Sequence, residues 1–364
     1  MLTKIASRLL LVLLAIVFTV GILEIGFRLF RPQQHFSVHI NTWDRELGHR
    51  NIPGGKGSID SPEFKTSTAI NSKGLRDREY PYEKPENTRR ILCLGDSFTF
   101  GHGVEQHEVF PKVLENLLNQ ETGSDGCWEV INAGVDRTGT AHQLAYFNAE
   151  GYKYDPDLVL LCFCGANDFF DNAGVGLYRL QDGRLVKQDA RLPDPVKLRE
   201  AMLRLPGYRI LSSRFHLFTF MRRRIANYIY SREVRTRDPV RAETAMPRAE
   251  NLTRHLLTAL CETCRAKNIV FAVMVVPHAD GSDPPRQTAS LIEFVKATAI
   301  PYVDLSARFL EEGQSGIENY FPLDGHWNPA GHRLTGRILK DFVVGLRADG
   351  EDAGPITQTK DERS

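Results

Sequence analysis

Four short polar blocks in this 364-residue chain carry side chains that could act together on a carbonyl group. The first is Leu94-Gly95-Asp96-Ser97-Phe98. A serine hydroxyl is a weak nucleophile until a base takes its proton. Set on a turn after a buried strand, it is presented at a sheet edge beside backbone N–H groups, and Gly95 permits that turn. The tripeptide alone is weak evidence, because any loop can contain it. The second block, Asn132-Ala133-Gly134, ends a short apolar run. Glycine lets a backbone N–H approach a ligand closely, and it is equally an ordinary turn residue. The third, Gly165-Ala166-Asn167-Asp168, follows the most apolar run. An asparagine amide there either donates to a developing oxyanion, typically worth about 3 kcal/mol, or makes an Asx turn. The fourth is Asp324-Gly325-His326-Trp327-Asn328-Pro329. Imidazole can serve as a base near neutral pH, and a carboxylate orients it. An isolated Asp-x-His is otherwise structural or metal-ligating, and Pro329 suits the first turn of a closing helix.

A scaffold must bring these blocks together. Arg90 to Leu94, Glu129 to Asn132, Leu158 to Phe163, Ile269 to Val276 and Tyr302-Val303 read as strands. Val109 to Leu118, Ala141 to Glu150, Asn251 to Lys267, Leu291 to Thr298 and Gly331 to Leu346 have helical spacing. Strands alternating with helices predict a parallel sheet covered on both faces, and near-continuous apolar strands fit that burial. The reactive edge of such a sheet is the one at the carboxyl ends of its strands.

Together the four blocks resemble the GDSL-type (SGNH) hydrolase superfamily, in order as well as content, from about Ile70 to Leu346. The resemblance implies an α/β domain of flavodoxin-like three-layer α/β/α form. It implies Ser97 as nucleophile, His326 as base and Asp324 as its partner. The oxyanion hole would be the N–H groups of Ser97 and Gly134 with the Asn167 side chain. No metal or other cofactor is implied. Two departures stand out: Phe98 replaces the name-giving leucine, and Asp324 lies two residues before His326 where the family usually has three. A similar Asp-x-His-Trp block occurs in SGNH-like acetyltransferases of bacterial exopolysaccharide assembly, which shifts weight toward acyl transfer. The expected activity is hydrolysis of a carboxylic ester, a small acyl group on a glycan or lipid, through an acyl-enzyme. The alternatives are an O-acetyltransferase acting on an extracytoplasmic polysaccharide and a non-catalytic carbohydrate-binding relative.

Outside the blocks, Leu9 to Leu23 carries no charge, and Ile25 and Phe27 extend it toward the roughly 20 apolar residues that cross a bilayer. An uncleaved anchor is the leading reading, ahead of a cleaved signal and a soluble helix, since no convincing small-residue cleavage site follows. The domain would then face the periplasm or the exterior. Lys and Arg total 46 against 45 for Asp and Glu, which removes the broad electrostatic case for nucleic-acid binding. The expected layout is an anchor over 1–31, an irregular lead-in over 32–65, the hydrolase domain over 66–347 with a helical insertion at 171–246, and a disordered tail over 348–364.

The insertion interleaves arginines with aromatics, such as Arg222, Arg223 and Arg224 beside Phe218, Phe220 and Tyr228. It reads either as a helix with a solvated basic face or as a substrate-facing or membrane-surface element. The six cysteines read as buried thiols or one incidental bridge. His332 is expected to be structural; His278 follows a strand at the sheet edge, where a substrate contact is the minority reading; His102 and His107 have poorer context than His326. Asp96 and Asp168 are expected to fix loops. The Asn251-Leu252-Thr253 sequon sits in a helical run and carries little weight.

Overall fold

Short, near-continuous apolar runs decide the centre of the molecule. The computed structural model describes residues 2–36, 40–122, 126–190, 197, 201–202, 204–236, 239–277, 286–311 and 317–351. Its main sheet contains β1 (Thr88–Leu94), β2 (Cys127–Asn132), β3 (Leu158–Cys164), β4 (Val270–Val276) and β5 (Tyr302–Asp304). They lie in the order β2-β1-β3-β4-β5, all parallel, with Cys93 opposite Asn132 and Leu160, and Cys164 opposite Val276. This is the doubly wound order of flavodoxin-like folds.

The helices in chain order are α1 (Leu2–Phe30), α2 (Ser97–Phe100), α3 (Phe110–Thr122), α4 (Thr140–Ala149), α5 (Asp168–Val175) and α6 (Pro206–Arg214). They continue with α7 (His216–Thr236), α8 (Pro239–Arg265), α9 (Arg286–Ala297), α10 (Ser306–Glu311) and α11 (Pro329–Glu351). Val159, Leu161 and Phe163 of β3 face α4, α8 and α9, packing with Leu144, Leu256 and Leu291. The alternate residues Leu160 and Cys162 face α3, α10 and α11, packing with Phe110, Phe309 and Leu339. Every residue of β3 is buried. Full burial of each large apolar side chain is worth about 1.5–3 kcal/mol, so this strand anchors both layers.

The chain divides into two units. One comprises Met1–Val38, Ser58–Lys65 and Pro193–Ala242; the other comprises His39–Gly57, Thr66–Leu192 and Glu243–Ser364 and holds the main sheet. Two expectations differ from what is seen. Much of the lead-in is pleated, with strands at His35–Phe36, Asn41–Asp44, Gly48–Asn51, Lys56–Asp60 and Lys65–Ala69. The 171–246 insertion is not helical throughout: Tyr178–Gln181 and Arg184–Lys187 form an antiparallel hairpin, and α8 runs through its far boundary. The closing helix reaches Glu351, and 352–364 of the expected tail lie outside the described residues.

Candidate active site

Each polar block leaves the carboxyl end of a strand or precedes a helix, so the sheet edge gathers them. Asp96 caps α2, its Oδ1 accepting the Phe98 N–H at 2.9 Å, which makes Ser97 the first helical residue. First-turn N–H groups have no intrahelical acceptor and point outward. Gly95 is obligatory for packing: a Cβ there would come within 2.1 Å of Thr99 Oγ1 and 2.9 Å of the Cys162 side chain. Gly134 is more tightly held, since a Cβ would sit 2.2 Å from the backbone nitrogen of Phe100. The second block therefore packs directly on the backbone of α2, the helix that Ser97 begins.

Ser97 Oγ lies 2.8 Å from His326 Nε2, and His326 Nδ1 lies 2.5 Å from Asp324 Oδ1. With a carboxylate accepting at Nδ1, that nitrogen carries the ring proton and Nε2 accepts the Ser97 O–H. His326 is fixed by its neighbours. Trp327 is fully buried and packs edge-on against Phe98 at 4.8 Å between ring centroids, and the Phe98 ring lies 5.0 Å from His326. Asn328 caps α11, accepting from the Ala330 and Gly331 N–H groups.

The electrostatics favour a charged carboxylate and a basic imidazole. Burial would raise the Asp324 pKa, yet the imidazoles of His102 and His326 outweigh it and hold the carboxyl well below the usual range. Burial would lower the His326 pKa, but its bond to Asp324 and that negative charge, helped by Asp96 and Asp136, move it above the ordinary imidazole value. Burial pushes the Asp96 carboxyl up to about 6, and it raises Asp168 and Asp171 as well.

Asn167 sits among those carboxyls. Its Nδ2 donates to Asp171 Oδ2 at 2.9 Å and to Asp96 Oδ2 at 3.2 Å. The Gly134 N–H likewise donates to Asn132 Oδ1 at 3.0 Å. Two of the three expected oxyanion donors thus hold internal acceptors here.

A family model described as GDSL-like lipase/acylhydrolase matches residues 93–334, which run from the strand before Ser97 into the helix after His326. The chain belongs to that family. This GDSL-like hydrolase is a serine hydrolase acting on ester bonds. Among solved structures it is similar to a putative lipolytic G-D-S-L protein from Desulfitobacterium hafniense, with 14% identity over 70% of this chain and 98% of that one, TM-score 0.39. It is similar to the esterase EstA from Pseudoalteromonas sp., with 16% identity over 71% and 99%, TM-score 0.39. It is also similar to the acetylxylan esterase Axe2 from Geobacillus stearothermophilus, with 12% identity over 70% and 94%, TM-score 0.40. No curated protein is matched by the chain.

Two residues of this hydrolase site escape a motif reading. His102 is buried, its Nε2 3.6 Å from Asp324 Oδ2 and its ring centroid 4.6 Å from that of His326. Asp324 therefore lies between two imidazoles. Ligand atoms of His102, Asp324 and His326 fall within 4.8 Å of one another, close enough to share a cation. The second residue is Arg76, 1% exposed, which donates to the carbonyls of Phe100, Gly101 and Val104 and so ties down the end of α2. The only signal for His102 is its place five residues after Ser97; Arg76 carries none.

The remaining expectations sort simply. His332 is buried and its Nδ1 accepts the Phe110 N–H, a structural contact. Asp168 accepts the Cys164 N–H. All six cysteines are free, Cys127 exposed and Cys261 partly so. Thr253 of the sequon is buried and accepts from Asn172. His278 lies outside the described residues.

Proposed function

We propose that this GDSL-like hydrolase is an esterase working through an acyl-enzyme, with Ser97 as nucleophile, His326 as general base and acid, and Asp324 holding the imidazole. The observation that carries the reading is the continuous relay from Ser97 Oγ through His326 to Asp324 at 2.8 and 2.5 Å. Ser97 attacks the ester carbonyl as His326 Nε2 takes its proton. The imidazolium is stabilised by Asp324 and passes the proton to the leaving alkoxide. Water, deprotonated by the same nitrogen, then releases the acid.

The Ser97 N–H is the first oxyanion donor in this account. Gly134 N–H and the Asn167 amide join it by exchanging Asn132, Asp96 and Asp171 for the substrate oxygen. Catalytic hydrogen bonds commonly tighten only once substrate is bound. The proposed substrate is a small acyl group on a glycan or lipid. The proposed location is outside the cytoplasm: α1 contains the stretch Lys4–Phe30, long and apolar enough to cross a membrane.

One observation favours a second reading, acyl transfer to a sugar hydroxyl: the single-residue spacing between Asp324 and His326 resembles that of the exopolysaccharide acetyltransferases. Product analysis with an acetyl donor and an oligosaccharide acceptor separates the two. The esterase reading is tested by turnover of 4-nitrophenyl acetate in Ser97→Ala, which should fall to background while circular dichroism is unchanged. Undiminished turnover in a folded variant would reject it.

A further inference from the structure

The unit built from α1, α6 and α7 has a surface that the esterase reading leaves unused. Residues 204–236, which hold α6 and α7, carry eight arginines against one carboxylate. Met221, Ile225 and Tyr228 recur at i, i+4 and i+7 on α7, one stripe of a helix, and each is more than half exposed. Leu205 and Ile210, at and just after the start of α6, are exposed to the same degree. Arg204, Arg214, Arg223 and Arg224 are exposed among them. Exposed apolar side chains interleaved with exposed arginines suit the boundary of an anionic bilayer, where each kind meets its own layer.

The position of α1 fixes where that surface lies. The stretch Lys4–Phe30 has 27 residues, about 40 Å of helix, close to a bilayer with its headgroup layers. Glu24 is buried near its far end, about 9 Å of helix before Phe30. The Glu24 carboxylate accepts the N–H groups of His216 and Leu217, the first residues of α7, at 3.0 and 2.9 Å. Arg28 bonds Glu24 at 2.9 Å and donates to the Arg214 carbonyl at the end of α6. Phe27 packs on Phe220 at 4.7 Å, and Arg31 lies over the same ring at 5.7 Å. The junction of α6 and α7 is therefore clamped to α1, and with α1 across a bilayer it would sit near the depth where hydrocarbon gives way to headgroups. A carboxylate inside the apolar stretch is satisfied by the same clamp.

We propose that α6 and α7 lie in the interface of an anionic bilayer, with Leu205, Ile210, Met221, Ile225 and Tyr228 in the acyl boundary and the exposed arginines on lipid phosphates. Each arginine near such a surface adds an attraction that salt screens. The inference rests on α1 crossing a membrane, part of the reading above.

The test uses the full chain reconstituted into phosphatidylcholine vesicles with or without phosphatidylglycerol. Ile225→Trp and, separately, Met221→Trp add an indole far in sequence from Trp43, Trp128 and Trp327. Lipid brominated near the headgroup should remove most of the added emission, and more of it when phosphatidylglycerol is present. Arg223→Glu with Arg224→Glu should abolish the dependence on phosphatidylglycerol. A chain retained through alkaline carbonate washing whose added indole escapes quenching overturns this proposal alone, as does quenching indifferent to lipid charge. A chain washed off by carbonate overturns the membrane reading and this proposal together.

Discussion

Asp324 Oδ1 reaches His326 Nδ1 across a single intervening residue because Gly325 turns back at a φ of 86°. The turn is closed by the Gly325 N–H on Phe321 O and the Phe321 N–H on His326 O, each 2.8 Å. A side chain at this φ costs about 1–2 kcal/mol, although nothing within 4 Å would obstruct its Cβ. Gly325→Ala should therefore lower kcat/KM by misplacing the carboxylate. Gly325→Asn should be milder, because asparagine tolerates the left-handed region. Steady-state kinetics of the two variants check the ranking, and equal losses would point to a role for glycine other than backbone freedom.

The relay sets the pH dependence. In the proposed role of base His326 must be neutral, and, against burial, the Asp324 carboxylate moves its pKa above the ordinary value of 6.5. Activity should accordingly rise with pH and reach its plateau only above 6.5. In Asp324→Asn the ring loses the partner that raises its basicity and can adopt the wrong tautomer. The acid limb should then move to lower pH, and kcat should fall by up to about 10⁴-fold. A kcat/KM profile from pH 5 to 9, a range of about two units either side of neutrality, reads both.

His102 supports Asp324 from the other side. At 3.6 Å the contact is too long for a strong hydrogen bond, so its effect is electrostatic and orienting. His102→Ala should reduce kcat about threefold to tenfold with KM little changed, the size expected for under about 1.4 kcal/mol. The acid limb should shift, a change that a purely structural loss of stability would not produce.

These relationships differ in how far the chain betrays them. The sheet was legible because β1, β3 and β4 are apolar on both faces, and burial on both faces leaves few alternatives. Ser97, His326 and Asp324 were legible because each sits in a block with a turn residue and a strand or helix beside it. The outlying strands were less so. Lys65–Ala69 shows in its alternation from Thr66, though it buries Thr66 and Thr68 rather than aliphatic residues; Lys56–Asp60 buries little besides Ile59, so its pairing comes from tertiary contact. The engagement of Asn167 by Asp96 and Asp171 depends on side-chain directions that spacing does not encode. Arg76 is invisible for the same reason: its acceptors are backbone carbonyls that exist as a cluster only once α2 is folded.

Gly134 should not tolerate a side chain. Its Cβ would collide with the backbone of Thr99 and Phe100, which cannot move aside as a rotamer can. Gly134→Ala should destabilise the fold by about 1–3 kcal/mol and displace Ser97. Urea unfolding together with ester turnover measures both, and an active variant of unchanged stability would contradict the packing.

Arg76 offers a complementary loss. Arg76→Leu removes a donor from the carbonyls of Phe100, Gly101 and Val104; Gly101 O keeps the Val104 N–H at 3.4 Å, and each buried acceptor left unsatisfied costs about 1–3 kcal/mol. Stability should fall by several kcal/mol. Arg76→Lys, which can reach fewer of the three, should lie between this variant and the parent.

A hydroxyl activated by one imidazole should react selectively with a serine-directed fluorophosphonate. Peptide mapping after treatment should find a single modification, on Ser97, with the rate of labelling greatly reduced in His326→Ala. Absence of label on Ser97 in folded protein, or labelling at full rate without His326, would overturn the assignment of Ser97 and His326.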